Sequence, residues 1–261
     1  MLFRSATASE LIGWRAVFVV MAVAAAIAGL LFFLLVRDRP PGATAEAHEE
    51  QLGPIEGVRR VLATPGLMRV LALFLVAYAA FAAVMLVWAG PYLHDVHGLD
   101  ALDRGQVLFG MAVVQTLAGL AIGPLDRLFN TRKWVAVANA AVALATLAAL
   151  AVIPDISTAL AVFLLLLLSS ASAYGSVMLA HIRSHFPDHM AGRGATTGNM
   201  VQLIGAALLS IVTGLIPALF VHSGPGYSPL AYRWIFATLA IALAVGLAVY
   251  LTAKDSKPRS P

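Results

Sequence analysis

The densest group of charged side chains follows a long apolar stretch and places one acid among three cations. It lies in residues 123–133 and consists of Asp126, Arg127, Arg132 and Lys133. Asp126 could cap a helix N-terminus or pair with Arg127 or Arg132, which would give the segment two arrangements that lock or release neighbouring helices. The spacing allows a charge-paired gating loop. A plain basic loop with one incidental acid is the alternative.

A second set of candidates is polar and lies inside apolar stretches. Polar groups at membrane depth usually face a cavity or another helix, so these residues are candidates for a substrate pathway: Tyr78, Gln115, Ser172, Tyr174, Asn199 and Gln202. The alternative is a helix-packing hydrogen bond, which contributes only about 0.6 kcal/mol on average. Gln115, Asn199 and Gln202 are the strongest candidates, because larger polar groups cost more to bury.

Patterns for catalysis or metal binding are weak in this sequence. The spacing of His181, His185 and His189 could direct three imidazoles at a metal on one continuous helix, but Pro187 interrupts that helix. We expect a polar loop there, with no metal. No Ser-His-Asp or paired-carboxylate pattern is present, so we predict no enzymatic activity and no cofactor. His94 and Asp95 form the nearest titratable pair to a span, and we expect them in an external turn.

The elements that position these residues follow from composition. Hydrophobic residues make up 61% of the chain and charged residues 11%, which is typical of an integral membrane protein. A helix needs about 20 apolar residues to span the membrane and satisfies its own backbone there. The sequence therefore predicts an all-α protein with seven spans, at residues 14–36, 70–90, 106–125, 134–153, 158–179, 198–219 and 234–252.

Lysine and arginine are distributed unequally between the two sides, and this bias orients the helices. Thirteen of these cations follow the odd-numbered spans, the C-terminal tail included, whereas four lie on the opposite side: Arg4, Arg15, Arg104 and Arg233. We predict a multi-pass protein of the cell (inner) membrane, with its C-terminus in the cytoplasm and the N-terminus of this chain outside. The modest net charge of +4 gives no reason to expect nucleic acid as a partner.

One pattern occurs twice: an aromatic residue, Arg, two residues and Phe, then an apolar stretch that ends in a basic residue and Asp. The copies begin at Trp14 and Tyr232 and end at Asp38 and Asp255. Equivalent helices so far apart mark the ends of two units, so spans two to seven form one unit of six. We expect an N-terminally truncated chain with four parts: 1–36, an external start and the last helix of an otherwise missing N-terminal half; 37–69, a cytoplasmic linker; 70–252, a six-helix C-terminal half; and 253–261, a cytoplasmic tail.

The repeat, the helix starts and the 123–133 loop together resemble the major facilitator superfamily of secondary transporters. The loop is similar to that family's cytoplasmic signature Gly-x-x-x-Asp-Arg-x-Gly-Arg-Lys, with Asp126 and Arg127 on the Asp-Arg pair. Arg132 and Lys133 match the basic pair one residue late, and Gly123 lies one residue too close to Asp126. Asn130 stands near the usual glycine and tolerates the left-handed conformation.

The resemblance implies seven transmembrane helices, six of them forming one major-facilitator-type half bundle. It also implies alternating access to a small solute, with spans two, three, five and six lining a central cavity and the others outside it. Gly119 and Gly123 have the spacing of a helix-packing face. The expected partners are the lipid bilayer, a small-molecule substrate and the missing N-terminal half or another chain, and a coupling ion is left open.

Two other interpretations remain open. One is a remnant that does not transport, or a half that must assemble with another chain. The other is a seven-helix receptor, which shares the predicted topology but leaves the repeat unexplained. A retinal protein is disfavoured, because it needs a lysine within the last span, and the lysines of this chain are Lys133, Lys254 and Lys257.

Overall fold

Helices provide the regular secondary structure of the part of the chain described by the computed structural model, which comprises residues 13–35, 59–61, 63–187, 190–220 and 225–258. The chain divides into two units, Met1–Leu52 and Gly53–Pro261. The first contains α1 (Trp14–Leu35), a helix of 22 residues with no charged residue after Arg15. The repeat element Arg37–Asp38 and most of the linker lie outside the described residues.

The second unit contains the other six spans. The second consists of α2 (Leu67–Ala83), a π-helix (Val84–Trp88) and α3 (Ala89–Asp95). The rest are, in chain order, α4 (Ala101–Ile122) with the short α5 (Leu125–Leu128); α6 (Lys133–Val152); α7 (Thr158–Ala171) with α8 (Gly175–Arg183); α9 (Ala191–Leu215) with a 3-10 turn (Pro217–Leu219); and α10 (Pro229–Leu251). Seven helices of the described part are therefore long and apolar enough to cross a membrane.

The centre of this unit is α2, which packs against both α9 and α10. Small residues make the close packing possible: α2 buries a series of alanines, and a Cβ atom added to Gly205 of α9 would overlap the backbone carbonyl of Leu75. Because lipid is as apolar as leucine, such van der Waals contact stabilises membrane helix pairs more than burial away from water does. A second layer is formed by α6 between α10 and α7, and by α4 against α7.

Two spans are interrupted, and neither interruption was predicted. In the second span a π-helix separates α2 from α3. The fifth span breaks between Ala171 and Gly175. The expectation that His94 and Asp95 lie in an external turn is wrong, because α3 continues to Asp95 and the turn follows at residues 96–98. The last helical hydrogen bond runs from Val96 N–H to the Tyr92 carbonyl at 3.1 Å, so His94 and Asp95 belong to the last turn of α3.

Burial differs sharply among the spans of this unit. In the third and sixth spans only 11% and 17% of the most apolar window is buried, compared with 56% in the second and 44% in the other three. The exposed side chains of α4 and α9 are large and apolar: Phe109, Leu117, Leu120, Leu203, Leu208, Ile211 and Leu215. The unit therefore has two helices whose broad apolar faces it does not cover itself.

Candidate functional site

The break in the fifth span places irregular backbone within a membrane helix. At Ser172 and Tyr174 the backbone leaves the helical conformation, and helical bonding resumes when Met178 N–H donates to the Tyr174 carbonyl at 3.1 Å. The first N–H groups of a helix have no partner within it. Non-helical backbone is tolerated at membrane depth where it is buried in protein or lines a cavity. Two predicted pathway residues thus lie at the break itself.

The break faces the two glycines of α4 that were predicted to pack. A Cβ atom on Gly119 would lie 3.8 Å from the Ala173 carbonyl oxygen, and one on Gly123 would lie 3.8 Å from Ser176 Oγ. These distances to the fifth span are ordinary van der Waals distances, although a Cβ atom on Gly123 would also lie 3.3 Å from the Gly119 carbonyl oxygen. The third and fifth spans therefore meet where the fifth loses its helical hydrogen bonds.

The six pathway candidates share one property. Their side chains form no hydrogen bond within the described residues: Tyr78, Gln115, Ser172, Tyr174, Asn199 and Gln202. Thr116 and Ser169 in the same spans differ, because they donate to carbonyls of their own helices at 2.9 Å, whereas the side chains of Ser170, Ser176 and Ser210 also form no hydrogen bond within the described residues. Tyr174 is buried, Asn199 is exposed and the other four are partly buried. These groups retain hydrogen-bonding capacity for another molecule.

The charged loop adopts one of the two ion pairs weighed from the sequence. Arg132 Nε donates to Asp126 Oδ2 at 3.3 Å, and both side chains are largely buried. Arg127 is exposed and forms no hydrogen bond within the described residues, and Asp126 does not cap a helix through its side chain. Asn130 has a positive φ of 51°, the left-handed conformation that the sequence comparison required of it.

The C-terminal tail completes this charged end, and α6 and α10 cap each other. Asp255 accepts from Lys133 N–H at 2.9 Å and from the Thr131 hydroxyl at 2.6 Å, so it caps the N-terminus of α6. In return, Lys133 Nζ donates to the carbonyls of Leu251 and Ala253 at 2.6 and 2.8 Å, at the end of α10. Each charge has the sign that the adjoining helix dipole favours.

His181 joins this end from α8. Its Nδ1 lies 2.8 Å from the Tyr250 hydroxyl and its Nε2 lies 3.2 Å from the Lys254 carbonyl oxygen. The Lys254 carbonyl can only accept, so Nε2 carries the proton and Nδ1 accepts from the tyrosine. Both ring nitrogens are therefore occupied by protein partners. His185 contacts the His181 ring at 5.5 Å between centroids, and His189 lies outside the described residues.

The opposite end of the bundle is organised around Asp95. One oxygen of this carboxylate accepts from the Tyr232 hydroxyl at 2.5 Å and from Tyr227 N–H at 2.9 Å, and the other lies 2.9 Å from His94 Nδ1. Gly226 has a φ of 84°, and a Cβ atom there would overlap the carboxyl group of Asp95. A glycine is thus required for the chain to pass over this acid.

Aromatic rings surround that carboxylate. Trp88 contacts Tyr232 and Tyr227 edge to face at 6.3 and 6.1 Å between centroids, and its Nε1 donates to the Thr213 hydroxyl of α9 at 2.9 Å. His97 packs against Tyr92, with 5.0 Å between the ring centroids. Burial lowers the pKa of its imidazole, and its Nε2 has no hydrogen-bond partner among the described residues. The second, sixth and seventh spans meet at this end.

Comparison with known proteins identifies the family. A model of the Major Facilitator Superfamily matches residues 2–210. The chain belongs to the Major Facilitator Superfamily. Its fold is also similar to the crystal structure of a bacterial homologue of the human lysosomal transporter Spinster, in an inward-facing and unoccupied conformation, with a TM-score of 0.64 and 20% sequence identity. The match covers 91% of this chain and 58% of that one. A search of curated proteins finds no match.

Membership of the Major Facilitator Superfamily confirms the resemblance drawn from the loop and the repeat. The predicted fold class is confirmed with it, namely an all-α, multi-pass membrane protein whose seven apolar helices follow a superfamily fold. The solved structure is considerably longer than this chain, since the chain spans 58% of its length. At 20% identity the likeness concerns the fold.

Sequence reasoning missed the residues that fasten the last helix. Tyr232, Arg233 and Asp255 were noticed only as parts of the repeated pattern. In the structure Tyr232 binds Asp95, Asp255 caps α6, and Arg233 donates to the carbonyls of Ala151 and Val152 at 2.8 and 3.1 Å. The repetition itself was the available signal, because polar residues kept at both ends of an apolar stretch indicate contacts at both ends of a helix.

Proposed function

We propose that the six-helix unit is one half of a secondary transporter that moves a small polar solute by alternating access. The observation that carries this proposal is the set of six polar side chains without hydrogen-bond partners in the described structure, two of them at the break in the fifth span. Unsatisfied polar groups are costly in a membrane. They are expected where water or a solute completes their hydrogen bonds, and no covalent chemistry is involved.

In this proposal, Gln115, Asn199 and Gln202 bind the solute together with the backbone at the break. The helix end at Gly175 offers N–H donors, and the residues before it offer carbonyl acceptors. A solute carrying both hydroxyl or carbonyl groups and N–H or O–H donors suits such a site. Tyr78 and Tyr174 would contribute a phenol each, at the more buried side of the path.

The chain contains no cysteine, which permits a direct test. We expect Gln115→Cys and Asn199→Cys to react with a membrane-impermeant thiol reagent in sealed vesicles, because a pathway admits water. The matched controls are Ile241→Cys and Val245→Cys, which lie on α10 with side chains that are 62% and 60% exposed but predicted to face lipid. Equal labelling at the two pairs of positions would contradict a water-filled path.

We further propose that the Asp126–Arg132 pair and the tail act as a gate at the cytoplasmic end. The pair links the α5 loop to the start of α6, and Arg132 also reaches Ser256 at 3.5 Å. Opening a path past this end would require the pair to separate.

We expect Asp126→Ala to increase the labelling of Asn199→Cys severalfold from the cytoplasmic side and to abolish uptake of the solute in full-length protein. Arg127→Ala is the control, since Arg127 has no partner among the described residues. Unchanged uptake and labelling would exclude a gating role for Asp126.

A second six-helix bundle is the partner that this proposal requires. The apolar faces of α4 and α9 are left uncovered within the unit, and alternating access needs two bundles around the site. The partner bundle would be supplied by the same polypeptide in a longer form or by another chain. We expect Leu117→Cys and Leu208→Cys to cross-link to a partner bundle in membranes, with Ile241→Cys as control. Cross-linking that is no stronger than at Ile241 would contradict this surface.

The proposed orientation places the charged end in the cytoplasm of a cell (inner) membrane and the Asp95 end outside. It rests on the excess of cations on one side. We expect a cysteine at Lys257 to be labelled only in inside-out vesicles and a cysteine at Ser157 only in right-side-out vesicles. The reverse result would invert the orientation and leave the fold unaffected.

A further inference from the structure

Two grooves lie side by side at the start of α10, at the end of the bundle that also holds Asp95. The first has a volume of about 280 Å³ and runs between α10 and the end of α6, and it is lined by Ala151, Val152, Leu230, Arg233, Trp234 and Ala237. The second has about 400 Å³ and runs between α10 and the 3-10 turn that follows α9, and it is lined by Ile216, Leu219, Phe220, Trp234 and Thr238. Trp234 lines both grooves.

The grooves are lined mainly by apolar residues, and the exceptions are Arg233 in the first and Thr238 in the second. Arg233 lines the first groove, and its guanidinium donates from Nε to the Ala151 carbonyl and from Nη2 to the Val152 carbonyl. A guanidinium has five N–H groups, so three remain after these two bonds. Among the described residues no carboxylate lies within ion-pair distance of Arg233. The groove thus contains a positive charge with three N–H groups that have no partner among the described residues.

The depth of these residues matches the membrane interface. Arg233 and Trp234 are the fifth and sixth residues of α10, which places them roughly 6–8 Å along the axis from its first residue. Tryptophan concentrates at the level of lipid headgroups, and 52% of the Trp234 side chain is exposed. A guanidinium at this level meets phosphate groups, which it binds with charge-assisted hydrogen bonds.

We propose that the start of α10 binds one anionic diacyl phospholipid, with its phosphate on Arg233 and its two acyl chains in the grooves that share Trp234. Two grooves separated by one side chain suit two chains joined at a headgroup. A single-chain amphiphile would leave one groove empty, and a free phosphate would use neither. The site lies on the outside of α6 and α10, away from the pathway candidates, and does not depend on the proposed transport.

The binding test uses the 261-residue chain, delipidated in detergent and titrated with dioleoyl phosphatidylglycerol or dioleoyl phosphatidylcholine under native mass spectrometry. We expect the wild type to bind phosphatidylglycerol at least threefold more tightly than phosphatidylcholine. Arg233→Gln should weaken phosphatidylglycerol binding at least fivefold and remove the preference. The matched control is Arg104→Gln, because Arg104 also donates from Nε to a backbone carbonyl, that of Asp100, but lines neither groove. It should change binding less than twofold.

A second variant keeps the charge of Arg233 and places a larger side chain in the first groove, which Ala237 lines. Ala237→Leu should weaken binding of the two-chain lipid at least threefold while the preference for phosphatidylglycerol persists. If Arg233→Gln does not survive purification, Ala237→Leu decides: undiminished binding overturns the proposal. Wild-type affinity in Arg233→Gln, or equal affinity for single-chain lysophosphatidylglycerol, would overturn it as well.

Discussion

The two ends of the six-helix unit fasten the same last helix by different means. At the end proposed to be cytoplasmic, α10 is held by several exposed or partly buried charges that cap helix ends, including Lys133 and Asp255. At the other end Arg233 holds it to the last carbonyls of α6, and Asp95, whose side chain is only 9% exposed and lies among aromatic rings, accepts from Tyr232. The first arrangement consists of charges at exposed or partly buried positions, whereas the second includes a carboxylate that is largely buried.

This contrast bears on which end can open. Exposed charge pairs are weakened by salt and replaced by water at little cost. When the Asp95 carboxylate moves, the buried Tyr232 hydroxyl that donates to it is left without a partner, which costs more. We therefore expect the charge contacts at the first end to break and re-form easily. The contacts around Asp95 should stay in place during a conformational change.

The largest expected effect comes from removing Asp95. Asp95→Ala should lower the free energy of unfolding by about 2–4 kcal/mol, because hydrogen bonds to a charged group contribute about 1.5–3 kcal/mol and the buried Tyr232 hydroxyl is left without a partner. Thermal unfolding in detergent, followed by tryptophan fluorescence, measures the change. Asp155→Asn, at an exposed acid in the turn after α6, is the control. A loss below about 0.5 kcal/mol would remove the proposed asymmetry between the two ends.

A smaller effect is expected at the charged end. Asp255→Ala removes the cap of α6, and caps contribute about 0.5–2 kcal/mol, so we expect a loss of about 1 kcal/mol at low salt. At 1 M KCl the wild type and this variant should converge, whereas the loss caused by Asp95→Ala should persist. Lys257→Gln is the control, because Lys257 forms no hydrogen bond in the described structure. Equal salt sensitivity of the two acids would contradict the contrast.

The bond between Trp88 and Thr213 tests whether the aromatic cluster depends on its polar contact with α9. Thr213→Val removes the acceptor, and we expect a loss of about 0.6 kcal/mol, the average for a hydrogen bond between membrane helices. Thr116→Val is the matched control, since Thr116 bonds only to its own helix. A larger loss at Thr116 than at Thr213 would show that the interhelical bond contributes nothing.

The smallest effect should come from His97. Burial lowers its pKa, so the folded state favours the neutral imidazole. Its stabilising contribution is present above the ordinary histidine pKa of about 6.5 and is lost as the pH falls through the lowered folded value. We therefore expect the melting temperature to fall between pH 7.5 and pH 5, and to fall less in His97→Gln. Identical slopes in the two proteins would show that His97 makes no contribution, since any effect of His94 is common to both.

The sequence predicted the membrane helices well, but it placed the starts of several of them too late. The third span was predicted from residue 106 and begins at Ala101, and the last was predicted from residue 234 and begins at Pro229. Both begin at capping residues outside the apolar stretch: Asp100 accepts from Asp103 N–H at 2.8 Å and Ser228 from Ala231 N–H at 3.2 Å. Hydropathy detects the part of a helix inside lipid, whereas caps determine where it starts.

The break and the long-range contacts could not be predicted from the sequence. The fifth span breaks at Ser172-Ala173-Tyr174 without a proline, so no local breaker marks the position. Tyr232 and Asp95 are 137 residues apart, and a single sequence gives no indication of such a pairing. The Asp126–Arg132 pair was one of two pairings that the spacing allowed, and the fold decides between them by burying Arg132 and exposing Arg127.

The mutual capping of α6 and α10 also fixes how far one helix lies along the axis of the other. Arg233 fixes the last carbonyls of α6 while Asp255 and Lys133 fix its first turn, so the two antiparallel helices are pinned at both ends. Sliding one past the other by a single turn, about 5.4 Å, would break every one of these contacts at once. The two helices therefore resist sliding past each other as long as both ends keep these contacts. Any shear within this unit during a conformational change must be taken up by the helices on its other side, where α4 and the broken fifth span meet.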